Sequence, residues 1–152
     1  MNFTIAEASE ALLPQIQRIE QQSFSVPWTE AMLRMQLDPD SHVFLTAETP
    51  EGVVGYVGML YVLDEGYISN VAVAPAARRR GIGRALVKEM LCRAETRELS
   101  FVTLEVREHN EAAIALYAGE GFLPVGRRRG YYEKPREDAI LMTYLFIEDE
   151  DT

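Results

Sequence analysis

Cysteine and histidine are scarce in this sequence. Cys92 is the only cysteine, and His42 and His109 are the only histidines. A single cysteine cannot form a disulfide within the chain, which agrees with a reducing compartment such as the cytoplasm. The two histidines are far apart in sequence and no second cysteine is present, so the common ligand sets for zinc are missing. We therefore expect a cytoplasmic protein with no metal site.

Long apolar runs and a basic N-terminal segment are also missing. No apolar run approaches the ~20 residues needed to span a bilayer, and Met1 to Thr4 contain no basic residue of the kind that begins a signal peptide. The composition is that of a globular protein, with 47% hydrophobic and 26% charged residues in a chain of 152. This length is sufficient for one domain with its own core. We expect residues 1–152 to form a single domain that does not bind membranes.

Positive charge is scarce overall and is concentrated in two places. The formal net charge is −9, which argues against general nucleic-acid binding. Basic residues nevertheless cluster at 78–84 and 127–129, whereas residues 148–151 are all acidic. The basic clusters suit a phosphorylated cofactor, and the acidic remainder suits a cationic partner. The acidic tail, 148–152, also has a simpler interpretation as a solvated segment.

The order of the predicted elements indicates a sheet with helices on both faces. From the spacing of apolar residues and the positions of turn residues, the predicted strands are 3–6, 42–48, 53–62, 67–74, 101–106, 122–126 and 139–147. The predicted helices are 12–22, 29–37, 82–98 and a short one that opens at Asn110 and closes at Gly119 and Gly121. Two strands joined through a helix lie parallel in a sheet, whereas two strands joined by a hairpin turn lie antiparallel. The predicted sheet contains both kinds of connection and is therefore mixed. The fold class is α/β, or α+β by another convention, and residues 127–138 are predicted to form a loop.

A basic stretch with two glycines, Arg78 to Arg84, connects a predicted strand to the longest predicted helix. Gly81 and Gly83 carry no side chain that would keep a diphosphate away from the backbone, and the N–H groups at a helix start attract anions. A dinucleotide fingerprint would need a third glycine where Leu86 stands, and a Walker A loop would need Gly-Lys-Ser/Thr. The spacing therefore fits neither class. The alternative is a basic turn, capped by glycine, in front of an ordinary surface helix.

The same stretch resembles the R/Q-x-x-G-x-G/A pyrophosphate motif of the GNAT acyltransferases, with Arg78, Gly81 and Gly83 in the defining positions. The predicted element order is also that of the GNAT fold, with six to seven strands and about four helices, so the resemblance covers essentially the whole chain. It implies acetyl-CoA as the cosubstrate. The main chain at the end of the preceding strand could pair with pantetheine and donate to the thioester oxygen, although those side chains are plain strand core. The cofactor contacts expected in this region are Val71, Ala72, Val73, Arg79, Arg80, Gly81, Ile82, Gly83 and Arg84.

A second segment carries a more specific resemblance. Leu104 to Tyr117, followed by Gly121-Phe122, matches L-E-V-R-x-x-N-x-x-A-x-x-L-Y-x-x-x-G-F. This pattern resembles the ribosomal-protein-alanine N-acetyltransferase type within the GNAT family and its relatives that acetylate α-amines. Two further stretches support the resemblance, namely the R-x-x-Y-Y…E-D-A ending over 127–139 and the early substrate loop Phe24-x-x-Pro27-Trp28.

Acetyl transfer to an amine requires a base for the ammonium, a polarised thioester carbonyl and a proton for the departing thiolate. Glu105, near the end of a strand, is the candidate base, and Tyr117, on the following helix, is the candidate acid. The resemblance gives Asn110 a hydrogen bond to the cofactor arm in addition to a helix-capping role. The alternatives are a Glu105 that is exposed or paired with Arg107, and a Tyr117 that only packs in the core.

The acceptor is expected between two aromatic segments, Phe24, Pro27 and Trp28 in the early loop and Tyr131 and Tyr132 in the late one. Aromatic walls with few charges would admit a small first residue such as alanine, unless these residues merely pin the loops to the core. The resemblance implies the N-terminal alanine of small-subunit ribosomal protein number eighteen as the acceptor. Two alternatives stay open: a lysine or small-amine acetyltransferase, and a non-catalytic acyl-CoA-binding module. The sequence does not predict an oligomeric state.

Overall fold

The computed structural model describes residues 2–146, which form one sheet of seven strands and four α-helices. The strands are β1 (Thr4–Glu7), β2 (His42–Thr49), β3 (Gly52–Val62), β4 (Glu65–Val73), β5 (Phe101–Arg107), β6 (Leu123–Tyr132) and β7 (Glu137–Leu145). The helices are α1 (Leu13–Ser23), α2 (Glu30–Met35), α3 (Ile82–Thr96) and α4 (Glu111–Gly119), with short 3-10 turns at Glu10–Leu12 and Pro75–Ala77. The predicted class and element order are confirmed. Ile147, placed in the last predicted strand, and the acidic tail lie outside the described residues.

The sheet opens at its centre. Its strand order is β1-β2-β3-β4-β5-β7-β6, and every neighbouring pair is antiparallel except β4 and β5. That parallel pairing joins only Glu65 with Phe101, Gly66 with Val102 and Tyr67 with Thr103. Beyond these pairs the two strands separate, leaving 68–73 and 104–107 on opposite sides of a cleft.

A β-bulge in β4 decides which side chains face this cleft. Met59 of β3 pairs with Ile68 and Gly58 pairs with Asn70, so Ser69 is an extra residue on β4. An extra residue reverses the alternation of side chains along a strand. Ile68 accordingly packs in the cluster beneath α3, whereas Ala72 packs in the cluster beneath α1. As a result, Tyr67 and Asn70 lie on the α1 face of the sheet.

The core has one layer on each face of the sheet. On one face α3 buries Leu86, Val87, Met90 and Ala94, as its helical spacing predicts, and also Ile82. Leu91, predicted to point inward, is only partly buried. On the other face α1 and α2 cover a second cluster that contains the following side chains: Leu13, Ile16, Ile19, Leu33, Phe44 and Tyr56. No helix within residues 2–146 is long and apolar enough to cross a bilayer.

The prediction of a loop over 127–138 is wrong. β6 continues to Tyr132 and β7 begins at Glu137, so the turn comprises only 133–136. Strand prediction depends on alternating burial, but the side chains of β6 from Leu123 to Arg129 are all exposed because it is the edge strand. Contacts with Asp138 hold this hairpin together, since its carboxylate accepts a hydrogen bond from the Gly130 N–H at 2.8 Å.

Candidate active site

The cleft between the separated halves of β4 and β5 contains a cavity of about 650 Å³. Its walls come from the end of α1, the α1–α2 loop, β4, β5, α4 and the end of β6. Eight of the predicted site residues line it: Phe24, Trp28, Val71, Glu105, Asn110, Tyr117, Tyr131 and Tyr132. The remaining predicted residues lie outside the lining: Pro27, Ala72, Val73 and Arg79 to Arg84. No group of three or more His, Cys, Asp or Glu side chains in the described part of the chain is arranged to hold a metal ion.

Glu105, the candidate base, has a side chain that is only 7% exposed on β5. The Tyr67 hydroxyl donates a hydrogen bond to its carboxylate, and the Arg128 Nε lies 3.4 Å from the same oxygen. Burial, followed by the adjacent carboxylate, raises the pKa of Tyr67, so its hydroxyl remains a donor. Neither structural alternative for Glu105 holds, because its carboxylate is buried and Arg107 instead forms an ion pair with Glu137 at 3.2 Å.

Tyr117, the candidate acid, belongs to the core and also lines the cavity. Its ring meets Phe122 edge to face, with 5.8 Å between the ring centroids. Burial raises the pKa of Tyr117 to about 12, so the hydroxyl is protonated at neutral pH. Tyr117 therefore does pack in the core, as the alternative interpretation of the sequence holds, and it also forms part of the cavity wall.

The two glycines at the start of α3 have different surroundings. Arg79 and Gly81 both have left-handed backbone, with φ of 64° and 79°, a conformation in which glycine is unstrained. A Cβ atom added at Gly81 would meet no atom within 4 Å, whereas one added at Gly83 would lie 3.2 Å from the Leu116 side chain on α4. Gly81 therefore keeps the helix start open, and Gly83 lets α3 approach α4. Ile82 is only 1% exposed, so only its main chain could meet a ligand.

The arginines around this helix start are also used differently. Arg78 donates from Nε to the Val73 carbonyl at 3.0 Å, which ties the turn to the end of β4. Arg84 lies 3.6 Å from the Glu120 carboxylate at the end of α4. Arg80, like its neighbour at position 79, is exposed. The first arginine of the motif is therefore structural here, and the next two present their charge to solvent.

Aromatic residues from distant segments form the outer wall. Phe24 is 38% exposed, and Trp28 packs partly against the cluster beneath α1. The rings of Tyr131 and Tyr132 are nearly perpendicular, with centroids 5.0 Å apart. The Arg107 guanidinium lies 4.4 Å from the centre of the Tyr132 ring, where a cation–π contact orients the ring. Both tyrosines thus lie at the end of a strand, where the sequence predicted a loop.

Sequence reasoning missed a buried hydrogen-bond network around Glu20. Its fully buried carboxylate accepts bonds from the Trp28 backbone N–H at 2.9 Å, from Asn70 Nδ2 at 3.1 and 3.0 Å, and from the Tyr56 hydroxyl. The network connects the early loop to the cleft wall of β4. Its place in the helix could have indicated this network. Glu20 directly follows Ile19 on the apolar face of α1, and a carboxylate buried there requires hydrogen-bond donors.

The model of the acetyltransferase (GNAT) family matches residues 13–122, which is more than half of the chain. This chain belongs to the GNAT family. The matched range includes the diverging strands, the glycine-containing turn and Glu105. The GNAT fold expected from the sequence is therefore confirmed.

Several known proteins are similar to this chain over most of their length. It is 36% identical to the [ribosomal protein bS18]-alanine N-acetyltransferase of Escherichia coli K12, over 91% of this chain and 95% of the relative. It is 37% identical to N-alpha-acetyltransferase RimI of Mycobacterium tuberculosis, over 76% of this chain and 74% of the relative. The crystal structure of the Escherichia coli ribosomal-protein-S18-alanine N-acetyltransferase superposes with a TM-score of 0.90 at 32% identity, covering 99% of both chains. Ard1 of Thermoplasma volcanium gives a TM-score of 0.88 at 29% identity, covering 97% of this chain and 100% of that one.

Proposed function

We propose that this GNAT protein transfers the acetyl group of acetyl-CoA to the N-terminal α-amine of a protein, and that its acceptor is the N-terminal alanine of ribosomal protein bS18. The observation that carries the proposal is the buried Glu105 carboxylate, which shares one cavity with Tyr117 where β4 and β5 separate. Relatives that are 36% and 38% identical are named for acetylation of that alanine, which supports the choice of acceptor.

The proton transfers follow from the surroundings of the two residues. Acetyl-CoA supplies the acetyl group as a thioester. An α-ammonium has a pKa near 8, so a positioned carboxylate can take its proton near neutral pH. Glu105 would accept that proton directly or through one water, while Tyr67 and Arg128 hold the carboxylate in place. Tyr117, which is protonated at neutral pH, would donate to the departing thiolate.

The start of α3 fits a cosubstrate that carries a diphosphate. The N–H groups in the first turn of a helix have no partner inside the helix, and the space beside Gly81 is open. Arg79 and Arg80 are exposed and would add positive charge. Asn110 caps α4 by accepting the Ala113 N–H at 3.2 Å, which leaves its own amide N–H groups to donate to the cofactor arm.

The charge of the protein suits the proposed acceptor. A net charge of −9 attracts a basic ribosomal protein electrostatically, and aromatic walls suit a small first side chain. This acceptor implies that the enzyme works in the cytoplasm, and that neither a nucleic acid nor a membrane is its substrate.

The test is mass spectrometry of peptides incubated with the protein and acetyl-CoA. A basic peptide that begins Ala-Arg should be acetylated at its α-amine, whereas the same peptide with a blocked N-terminus and an internal lysine should react far more slowly. Comparable rates on the blocked peptide would favour the lysine alternative. Acetyl-CoA binding without turnover of any amine would favour the binding module.

A further inference from the structure

Glu20 is a second buried carboxylate in the wall of the cavity, and the proton transfers described above do not use it. Glu20 is 0% exposed and lines the same cavity as Glu105. The two carboxylates differ in their partners. Arg128 lies 3.4 Å from Glu105, whereas no Lys, Arg or His nitrogen of the described residues lies within 4.0 Å of Glu20. Among the described residues, no protein cation is therefore in contact with the Glu20 carboxylate.

The hydrogen bonds of Glu20 fit the ionised form of its carboxylate. One oxygen accepts the Trp28 backbone N–H and Asn70 Nδ2, and the other accepts Asn70 Nδ2 and the Tyr56 hydroxyl. Backbone and amide N–H groups can only donate, and an ionised carboxylate only accepts. Burial and the Glu20 charge raise the pKa of Tyr56, so that hydroxyl also keeps its proton and remains a donor. The Trp28 N–H and the Asn70 amide cannot accept a proton's hydrogen bond, so the carboxylate meets them in its acceptor-only, ionised form.

We infer that Glu20 supplies the fixed negative charge that recognises the α-ammonium of the acceptor. This inference rests on the proposed function, because it concerns how that acceptor is held before Glu105 takes its proton. A charge in a poorly solvated wall, with no cation beside it, favours a cationic ligand over a neutral one of the same shape. The position of Glu20 agrees with this role, since it contacts both the early loop, at Trp28, and the cleft strand, at Asn70.

Two ligands measure this preference directly. The first is the peptide beginning Ala-Arg, and the second is the same peptide with propionyl in place of alanyl, which replaces the ammonium by hydrogen. Calorimetry in the presence of CoA measures binding without turnover. The wild-type protein should bind the ammonium peptide at least about tenfold more tightly than the propionyl peptide, as expected for one charge acting across a partly screened distance. Equal affinities would overturn the inference without any variant.

Two variants then assign the preference to Glu20. Glu20→Gln keeps the size of the side chain and removes its charge, so the ratio of the two affinities should fall about tenfold while propionyl-peptide binding stays within about twofold. The matched control is Tyr56→Phe, which removes one hydrogen bond from the same network and keeps the charge. That variant should retain the wild-type ratio. Circular dichroism and thermal unfolding establish that both variants are folded.

Each other outcome has a definite meaning. If Glu20→Gln weakens both peptides equally, or if Tyr56→Phe lowers the ratio as much, Glu20 only packs the early loop and the inference is wrong. If the wild type acetylates the Ala-Arg peptide but shows no preference over the propionyl peptide, the inference fails and the proposed function stands. If the wild type neither binds nor acetylates the Ala-Arg peptide, the proposed function fails and the inference fails with it.

Discussion

The proposed cofactor site and the proposed acceptor site are built in different ways. On the cofactor side, the start of α3 is a contiguous stretch, 78–84, whose usable groups are mainly main-chain N–H groups and two exposed arginines. On the acceptor side, the wall combines Trp28 with Tyr131 and Tyr132 from the other end of the chain. Side-chain contacts hold this second wall, through Glu20 on one segment and through cation–π contacts on the other.

This difference determines what a substitution on each side should disturb. A change at the helix start should act on acetyl-CoA affinity, because the proposed binding groups belong to the turn itself. A change in the aromatic wall should act on the KM of the acceptor, because the acceptor is proposed to bind between those side chains. Glu105 is the proposed base for the transfer itself, so its loss should affect kcat more than either binding constant.

The largest effect is expected from Glu105→Gln. Removing the base should lower kcat by roughly 10² to 10⁴ and alter the pH dependence, with nearly normal acetyl-CoA binding. Steady-state kinetics against pH, together with calorimetry of acetyl-CoA, check this. The control is Glu111→Gln, the same change at an exposed residue in the first turn of α4, which should stay close to wild type. Wild-type turnover and pH profile in Glu105→Gln would make Glu105 structural.

Gly81→Val should weaken acetyl-CoA binding by about tenfold or more, a loss of about 1.4 kcal/mol or greater. The space beside Gly81 is open, so a branched side chain would occupy the approach to the helix start. The left-handed backbone at this position also makes valine strained. Gly81→Asn separates the two causes, because asparagine tolerates this backbone but still fills the space. Normal acetyl-CoA affinity in a folded Gly81→Asn protein would show that the diphosphate binds elsewhere.

The same contrast explains what the sequence could predict. An anion-binding start of α3 could be predicted from the sequence, because Gly81 and its neighbours are contiguous and would act through the main chain. Glu105 and Tyr117 were predicted as base and acid from a spaced motif, since β5 and α4 follow one another along the chain. Glu20 could not be assigned, because its role depends on Asn70 and Tyr56, which only tertiary packing brings to it.

The edge of the sheet was the weakest part of the sequence interpretation for a related reason. β6 is exposed along most of its length, so no alternation of apolar residues marked its second half, 127–132, as strand. The bulge at Ser69 could not be predicted either. One extra residue changes the pairing of β4 with β3 and leaves no signal in the composition of the strand. Yet that bulge puts Asn70, which bonds Glu20, on the same face of the sheet as Tyr67, which bonds Glu105.

A smaller effect is expected from Tyr117→Phe. Its kcat should fall about tenfold, less than for Glu105→Gln, because water can also protonate a thiolate. The ring remains packed on Phe122, so the free energy of unfolding should change by less than about 0.5 kcal/mol. Denaturant unfolding and single-turnover kinetics measure the two quantities separately. Turnover equal to wild type would assign Tyr117 to the core alone.

The smallest effect, and the one that tests the acceptor side itself, is expected from Tyr132→Ala. The KM for the Ala-Arg peptide should rise roughly threefold to tenfold, while the KM for acetyl-CoA changes little, because the ring forms part of the acceptor wall. Tyr132→Phe keeps the ring beneath the Arg107 guanidinium and should behave like wild type. An equal rise in both KM values would mean that the tyrosine supports the whole cavity rather than one side of it. Comparable rates of the wild type on an N-terminally blocked, lysine-containing peptide would contradict the proposed acceptor itself. The aromatic wall would then not serve to select a small first residue.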